Sequence, residues 1–335
     1  MNTPKPSWIE KGYADEPIPE GIDLAAEIRR LCREKNAVVL AHYYTEGAVQ
    51  DVADFVGDSL ALAQWAAKTE ADIIVMCGVH FMGETDKLLC PTKKVLVCDL
   101  NAGCSLADSC EAGDLKAFID AHPGHKVVSY VNTTAAVKAL TDVVVTSSNA
   151  KLIVDTFPKD EKIIFGPDKN LGNYINSLTG REMLLWNGGC HVHGQFSLER
   201  ILQLKQEHPH AKLLVHPECP APIQALADVI GSTAGLLHFA KQSEATEFIV
   251  ATESGILHQM TRQCPQKTFI PAPPETSEAI GCSCNECAYM RLNTLKKLYN
   301  ALRYEWPVIE VDPAIAAKAV KPIERMLEIS KQMSR

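Results

Sequence analysis

No apolar run in this 335-residue chain approaches the length that crosses a bilayer, and no cluster of Lys and Arg is available to neutralise a nucleic-acid backbone. The net charge of −8 points the same way, so neither a membrane nor a nucleic acid is expected as a partner. The opening residues MNTPKPSWIEKGYADEP lack the basic-then-apolar pattern of a secretory signal, and a soluble, cytoplasmic protein is expected. Missing too is a second CxxC pair or a suitably spaced His pair near Cys282, Cys284 and Cys287, which argues against a closed tetrahedral zinc site. Nor is there the local run of ligands that a ferredoxin uses.

Cysteine, by contrast, is plentiful. Twelve residues in a chain of cytosolic character argue for metal or cluster binding by a subset, because a reducing compartment disfavours a disulfide framework. Cys32, Cys77, Cys98 and Cys219 lie in or beside apolar runs, where a thiol serves as a small hydrophobe.

The chain is too long for one hydrophobic core, and an internal repeat divides it into three. Copies starting at Val38, Val127 and Leu213 lie 89 and 86 residues apart. Each has a short apolar strand ending in polar residues: His42 and Tyr44, then Tyr130 and Asn132, then His216 and Glu218. A short helix follows, then an acid (Asp54, Asp142, Asp228) and a second strand that stops at a hydroxyl cluster. A second helix, a third strand and a further β-like run complete the unit, and the loop beyond carries Cys104, Cys190 or Cys287. Such β-α-β alternation predicts short parallel sheets covered on both faces, with ligands at the carboxyl ends of the strands. One cysteine per copy suggests three modules meeting at a common point. Thiolates from three domains would leave one corner of a metal centre open, as a catalytic site requires.

The clusters Asp58-Ser59, Ser147-Ser148 and Ser232-Thr233 each precede a helix-like run and are read as N-caps. Three helix N-termini together would form an anion receptacle; ordinary capping is the alternative. Asp168, Lys169 and Asn170 fall at a strand end, and Lys169 reads equally well as a surface charge. Cys190, His191 and His193 follow a Gly-Gly turn, a setting for metal or acid-base chemistry. Prolines hold His216 and Glu218 as positioned acid-base groups. Outside the repeats, residues 1–20 read as an extended arm and Asp23 as the cap of the first helix. The tail reads as one or two exposed helices interrupted near Pro322.

The ordered motifs AHYYTEGAVQDVADFVGDSL, DLNAGCSLADSC, SYVNTTAAVKA, TSSNA, GPDKNLGNYI, WNGGCHVH, VHPEC, GSTAG, ATESGILHQM and CNECAYMRLNTL run along nearly the whole chain and resemble the quinolinate synthase family. The resemblance implies three α/β/α domains related by pseudo-threefold symmetry around a central cavity. The boundaries fall at 1–109, 110–195 and 196–290, with C-terminal helices over 291–335 packing back on the others. It implies a 4Fe-4S cluster held by Cys104, Cys190 and Cys287, with Cys284 the alternative to the last. The family condenses iminoaspartate with dihydroxyacetone phosphate to quinolinate, releasing phosphate and water, for NAD biosynthesis. Because iminoaspartate is unstable, L-aspartate oxidase or aspartate dehydrogenase is the implied supplier.

By the same resemblance His193, Glu218, His216 and Tyr44 move protons. His42, Ser59, Tyr130, Asn132, Ser147, Ser232 and Thr233, together with His216 and Glu218, match the family's substrate-binding positions. The competing readings are another cluster-dependent hydro-lyase and an iron-sulfur carrier or redox sensor.

Overall fold

A computed structural model of the chain describes residues 7–275 and 285–334. Among the described residues twelve strands alternate with helices: β1 Ala37–His42, β2 Phe55–Gly57, β3 Ile73–Cys77, β4 Lys94–Val97, β5 Lys126–Tyr130, β6 Val143–Val145, β7 Ile163–Gly166, β8 Leu184–Leu185, β9 Lys212–Val215, β10 Val229–Ile230, β11 Glu247–Ala251 and β12 Thr268–Pro271. They form three four-stranded sheets, ordered β2-β1-β3-β4, β6-β5-β7-β8 and β10-β9-β11-β12, with every pairing parallel. Helices flank each sheet, so the protein is built from three α/β/α domains of one topology. The chain divides into two compact units: residues 1–104 with 288–313, which hold the first sheet, and residues 105–287 with 314–335, which hold the other two. Among the described residues no helix is long and apolar enough to cross a membrane.

One carboxylate marks the repeat register. Asp54 accepts the Val39 N–H at 2.7 Å, Asp142 the Val127 N–H at 2.8 Å and Asp228 the Leu213 N–H at 2.8 Å, each across 15 residues. Val39, Val127 and Leu213 are therefore equivalent, and the first copy begins one residue later than Val38. Four consecutive apolar residues in AVVL do not reveal which one meets the acid.

In the first sheet Val39, Ala41, Val75 and Cys77 form one face and pack on Ile28 and Leu31 of the helix Leu24–Lys35 and on Leu298 and Leu302 of the helix Leu295–Tyr304. Asp23 caps the former, accepting the Ala26 N–H at 3.1 Å. Cys77, Cys98 and Cys219 lie in the cores as small hydrophobes, and Cys32 packs against the same first core.

Two peripheral expectations change. Residues 7–20 do not form a simple extended arm: a helical turn spans Ser7–Lys11, and the buried Trp8 ring sits 5.8 Å from Tyr304 and 5.1 Å from Trp306. Asn300 Nδ2 donates to the Ala14 and Glu16 carbonyls, both at 2.9 Å, and fastens the segment beyond that turn. The tail is one unbroken helix, Pro313–Ser330, despite Pro322 within it. An internal proline costs about 3 kcal/mol. Burial of Ala319, Pro322, Ile323 and Met326, the Asn149 Nδ2 to Ser330 Oγ bond at 2.9 Å, and Arg325 stacked 5.2 Å from the Phe157 ring centre offset it.

Candidate active site

The candidate side chains leave the carboxyl end of each domain's first strand at equivalent positions, three and five residues past Val39, Val127 and Leu213. They are His42 and Tyr44, Tyr130 and Asn132, and His216 and Glu218. In two domains the imidazole is oriented identically: His42 Nδ1 accepts the Tyr44 N–H at 3.2 Å, and His216 Nδ1 accepts the Glu218 N–H at 3.3 Å. An accepting Nδ1 leaves the proton of the neutral ring on Nε2. The Tyr44 ring meets His42 edge-on, 4.5 Å between centres.

His42, Tyr44, Ser59 and Cys104 belong to the first unit; the second unit gathers a buried acid-base assembly. Tyr130 Oη donates to Glu218 Oε1 at 2.6 Å. His193 Nδ1 lies 3.0 Å from Glu218 Oε2 and 3.2 Å from Cys190 Sγ, and its Nε2 lies 2.9 Å from Thr252 Oγ1. The His193 and His216 rings stack, with centres 4.7 Å apart. Burial by itself pushes the Glu218 carboxyl up. The neighbouring His193 and His216 imidazoles, with hydrogen bonds from His193 and Tyr130, outweigh burial and hold it below the usual carboxylate range.

Asp168 goes the other way: burial, then the Glu218 charge, raise it well above the ordinary value, although its Oδ1 accepts the Leu171 N–H at 2.7 Å. Its Oδ2 is buried without a partner. The two carboxyls are thus pushed in opposite directions, Glu218 toward the ionised form and Asp168 toward the protonated one. Burial, then proximity to His193, lowers the His191 imidazole, whose Nδ1 sits 2.7 Å from Ser105 Oγ. Lys169 is an exposed surface charge, with Nζ 3.1 Å from Asn187 Oδ1.

Ten cysteines are described, and six of them are buried. Of the four half-buried ones, Cys32 packs against an apolar core and burial pushes its thiol up to about 12. Cys104, Cys190 and Cys287 remain, each on a loop. The Cys287 N–H donates to Glu253 Oε1 at 3.1 Å, while Glu253 Oε2 accepts the Gly255 N–H at 2.6 Å. Donor atoms of Cys190, His193 and Glu218 lie within 4.8 Å of one another. Ser105, which follows Cys104, bonds His191, which follows Cys190. Cys282 and Cys284 lie outside the described residues.

Gly188 sets the path into Cys190: a Cβ there would stand 2.4 Å from Ser109 Oγ and 2.5 Å from the Pro167 carbonyl oxygen. The close approach that demands glycine is thus to the protein's own backbone. Gly189 borders open space.

Of the hydroxyl clusters, two cap helices. Asp58 accepts the Ala61 N–H at 3.0 Å ahead of the helix Ser59–Ala66, and Ser232 accepts the Gly235 N–H at 3.2 Å ahead of Thr233–Gln242. Ser147 and Ser148 do not cap. The helix there starts at Ala150, because Asn149 Oδ1 turns back to accept the Thr146 N–H at 2.6 Å. Thr146 Oγ1 and Asn132 Oδ1 are left buried without hydrogen-bond partners, which suits a site that receives a polar ligand. Sequence reasoning missed Thr252 and Glu253 as site residues. The polar run Thr252-Glu253-Ser254 just past β11 was the available signal, at the same place in its domain as Pro167-Asp168-Lys169.

Comparison with known proteins points to one family. The model of the NadA family, described as Quinolinate synthetase A protein, matches residues 26–328. A quinolinate synthase of Thermosynechococcus vestitus is 54% identical over 314 residues, covering 94% of this chain and 97% of the relative. Those of Trichormus variabilis and Synechocystis sp. are each 54% identical, over 92% of this chain and 94% and 96% of their own length.

Proposed function

The chain belongs to the quinolinate synthetase A family, and from that membership we propose that it condenses iminoaspartate with dihydroxyacetone phosphate to quinolinate, releasing phosphate and water, in cytoplasmic NAD biosynthesis. This is a transferase reaction, supplied with iminoaspartate by an L-aspartate oxidase or aspartate dehydrogenase. The proposal takes the chain as domains 1–109, 110–195 and 196–290 with helices over 291–335. The observation that carries it is the buried Tyr130, Glu218 and His193 assembly beside Cys190. An iron-sulfur carrier has no use for such a proton relay.

A 4Fe-4S cluster fits the thiols: Cys104, Cys190 and Cys287 are the half-buried, loop-borne cysteines, and thiolate is the donor such clusters take. These three residues would hold it. When bound, the cluster supplies an iron without a protein thiolate, a Lewis acid for substrate oxygens.

The remaining chemistry falls to the chain's own side chains. Glu218, kept ionised, takes a proton through the Tyr130 hydroxyl, and Tyr130 returns it as the acid for a departing oxygen. His193 bridges Glu218 and Thr252 and so carries a proton between them. His216 and His42 present Nε2–H to carboxylate or carbonyl oxygen. Tyr44 serves beside His42 as a further acid. The N-termini beginning at Ser59 and Thr233, with Ser232, Ser147 and Asn132, receive the carboxylates and phosphate.

Anaerobic turnover with dihydroxyacetone phosphate and freshly generated iminoaspartate tests the reading. Quinolinate should form, and Cys104→Ser, Cys190→Ser and Cys287→Ser should each lose iron and activity. A chain that binds iron yet forms no quinolinate would overturn it.

A further inference from the structure

We propose that Gln50, Lys138 and Gln224 are positioning residues, one per domain, that aim the functional side chain between the two carbonyls each of them grips. This rests on the reading that Tyr44, Asn132 and Glu218 face the substrates. The three occupy one repeat position, eleven residues past Val39, Val127 and Leu213. Gln50 Nε2 donates to the Tyr43 and Thr45 carbonyls, both at 2.9 Å. Gln224 Nε2 donates to the Pro217 carbonyl at 2.9 Å and the Cys219 carbonyl at 2.7 Å. Lys138 Nζ donates to the Val131 carbonyl at 2.8 Å and to that of Thr133.

In every case the bracketed residue is the one five past the register point: Tyr44, Glu218 and Asn132. Hydroxyls add a second tie in two domains, Thr45 Oγ1 to the His42 carbonyl at 2.9 Å and Thr133 Oγ1 to that of Tyr130 at 3.1 Å.

A lysine with no exposed surface is costly unless its donors are used, and this one stands where the other domains keep glutamine. What the position requires is therefore two N–H donors at the correct reach, whether from an amide or an ammonium. Holding the carbonyls before and after a residue fixes its backbone, and so its side-chain direction, without touching the side chain. Misplacing a reacting group by about 1 Å is enough to lose about a hundredfold in rate.

The test compares full-length, cluster-loaded chains of wild type, Lys138→Gln, Lys138→Met and Gln224→Leu. Quinolinate kcat and KM per bound iron are measured together with amide hydrogen exchange over 130–134 and 216–220. Lys138→Gln should keep kcat within about threefold, and Lys138→Met should lose about 10- to 100-fold in kcat with KM changed less than about threefold. Exchange should rise in Lys138→Met over 130–134 alone and in Gln224→Leu over 216–220 alone.

The proposal is overturned by unchanged exchange in the matching loop, by full kcat per iron in Lys138→Met, or by Lys138→Gln behaving like Lys138→Met. If Lys138→Met does not fold, Lys138→Gln and Gln224→Leu decide between the same outcomes. Should wild type form no quinolinate, the functional reading fails by itself, and the exchange arm still decides whether the loops are held.

Discussion

Removing one hydroxyl, in Tyr130→Phe, probes the proposed proton path most directly. Tyr130 Oη donates to Glu218 Oε1 at 2.6 Å with both side chains buried, so water cannot replace the lost donor easily. A hydrogen bond to a charged group contributes about 1.5–3 kcal/mol. If hydroxyl and carboxylate act in one step, that difference lowers kcat about 12- to 160-fold. Tyr130 also helps to hold the Glu218 carboxyl below its usual range. Its loss raises the folded-state value, and the acid limb of the kcat profile should move to higher pH in the variant. The sign is fixed because a depressed carboxyl works as a base above its folded-state pKa and fails as pH falls through that value. A cycle with Glu218→Ala and the double variant, assayed anaerobically for quinolinate, separates this coupling from any direct role of either group. A coupling near 1.5–3 kcal/mol is expected. Losses that add to within about 0.5 kcal/mol, with an unmoved acid limb, would refute the shared step.

Gly188→Ala should cost about 1–3 kcal/mol of stability, because its Cβ would meet the Pro167 carbonyl oxygen at 2.5 Å, and should reduce iron content through Cys190 two residues on. Gly189→Ala, facing open space, is the control; equal behaviour of the two in urea melts and iron assays would contradict the packing argument. Asp86 is fully buried with Oδ2 unpartnered, and burial raises its carboxyl well above the ordinary value. Below the unfolded-state pKa both states hold the proton and nothing is lost. As pH climbs from there toward the folded-state value the unfolded chain ionises first, and the native state loses stability. The urea midpoint of Asp86→Asn relative to wild type should therefore rise between pH 5 and pH 8, and a constant difference would exclude this account.

The repeats, the three parallel sheets and the polar strand ends were legible because they rest on local pattern. Apolar strands recur at fixed spacing, and the acids Asp54, Asp142 and Asp228 recur with them. Asp23, Asp58 and Ser232 read correctly as caps because the donors they satisfy lie three residues away. Ser147 and Ser148 misled because Asn149 competes for the same turn and delays the helix. Pro322 misled because local propensity says nothing of the surface that the tail covers. Least legible was the acid-base assembly: Tyr130 and Glu218 are 88 residues apart, and His193 and Thr252 are 59 apart. Each of these residues sat at a strand end or loop already suspected of function, but no periodicity encodes which of them touch.

The division between what repeats and what differs shows how one fold copied three times could serve the asymmetric condensation proposed above. Strand order, the register carboxylate and the side-chain grip on the loop carbonyls recur in all three domains, and none of them needs to meet substrate. The pair of side chains at each strand end differs from domain to domain: His and Tyr, Tyr and Asn, His and Glu. Identical modules would offer identical groups, and two carboxylates at Glu218-like positions would each raise the other's pKa instead of leaving one ionised base. With a tyrosine in the second domain and a glutamate in the third, the 2.6 Å contact joins donor to acceptor, and a symmetric scaffold acquires a direction for proton movement. Exchanging the pair, as Tyr130→Glu with Glu218→Tyr, keeps the buried hydroxyl and carboxyl but moves the charge away from the His193 Nδ1 that stabilises it. That double variant should fold and lose turnover by at least the contribution of a general acid-base group, about a hundredfold. Activity within about threefold of wild type would mean that the contact matters and its direction does not.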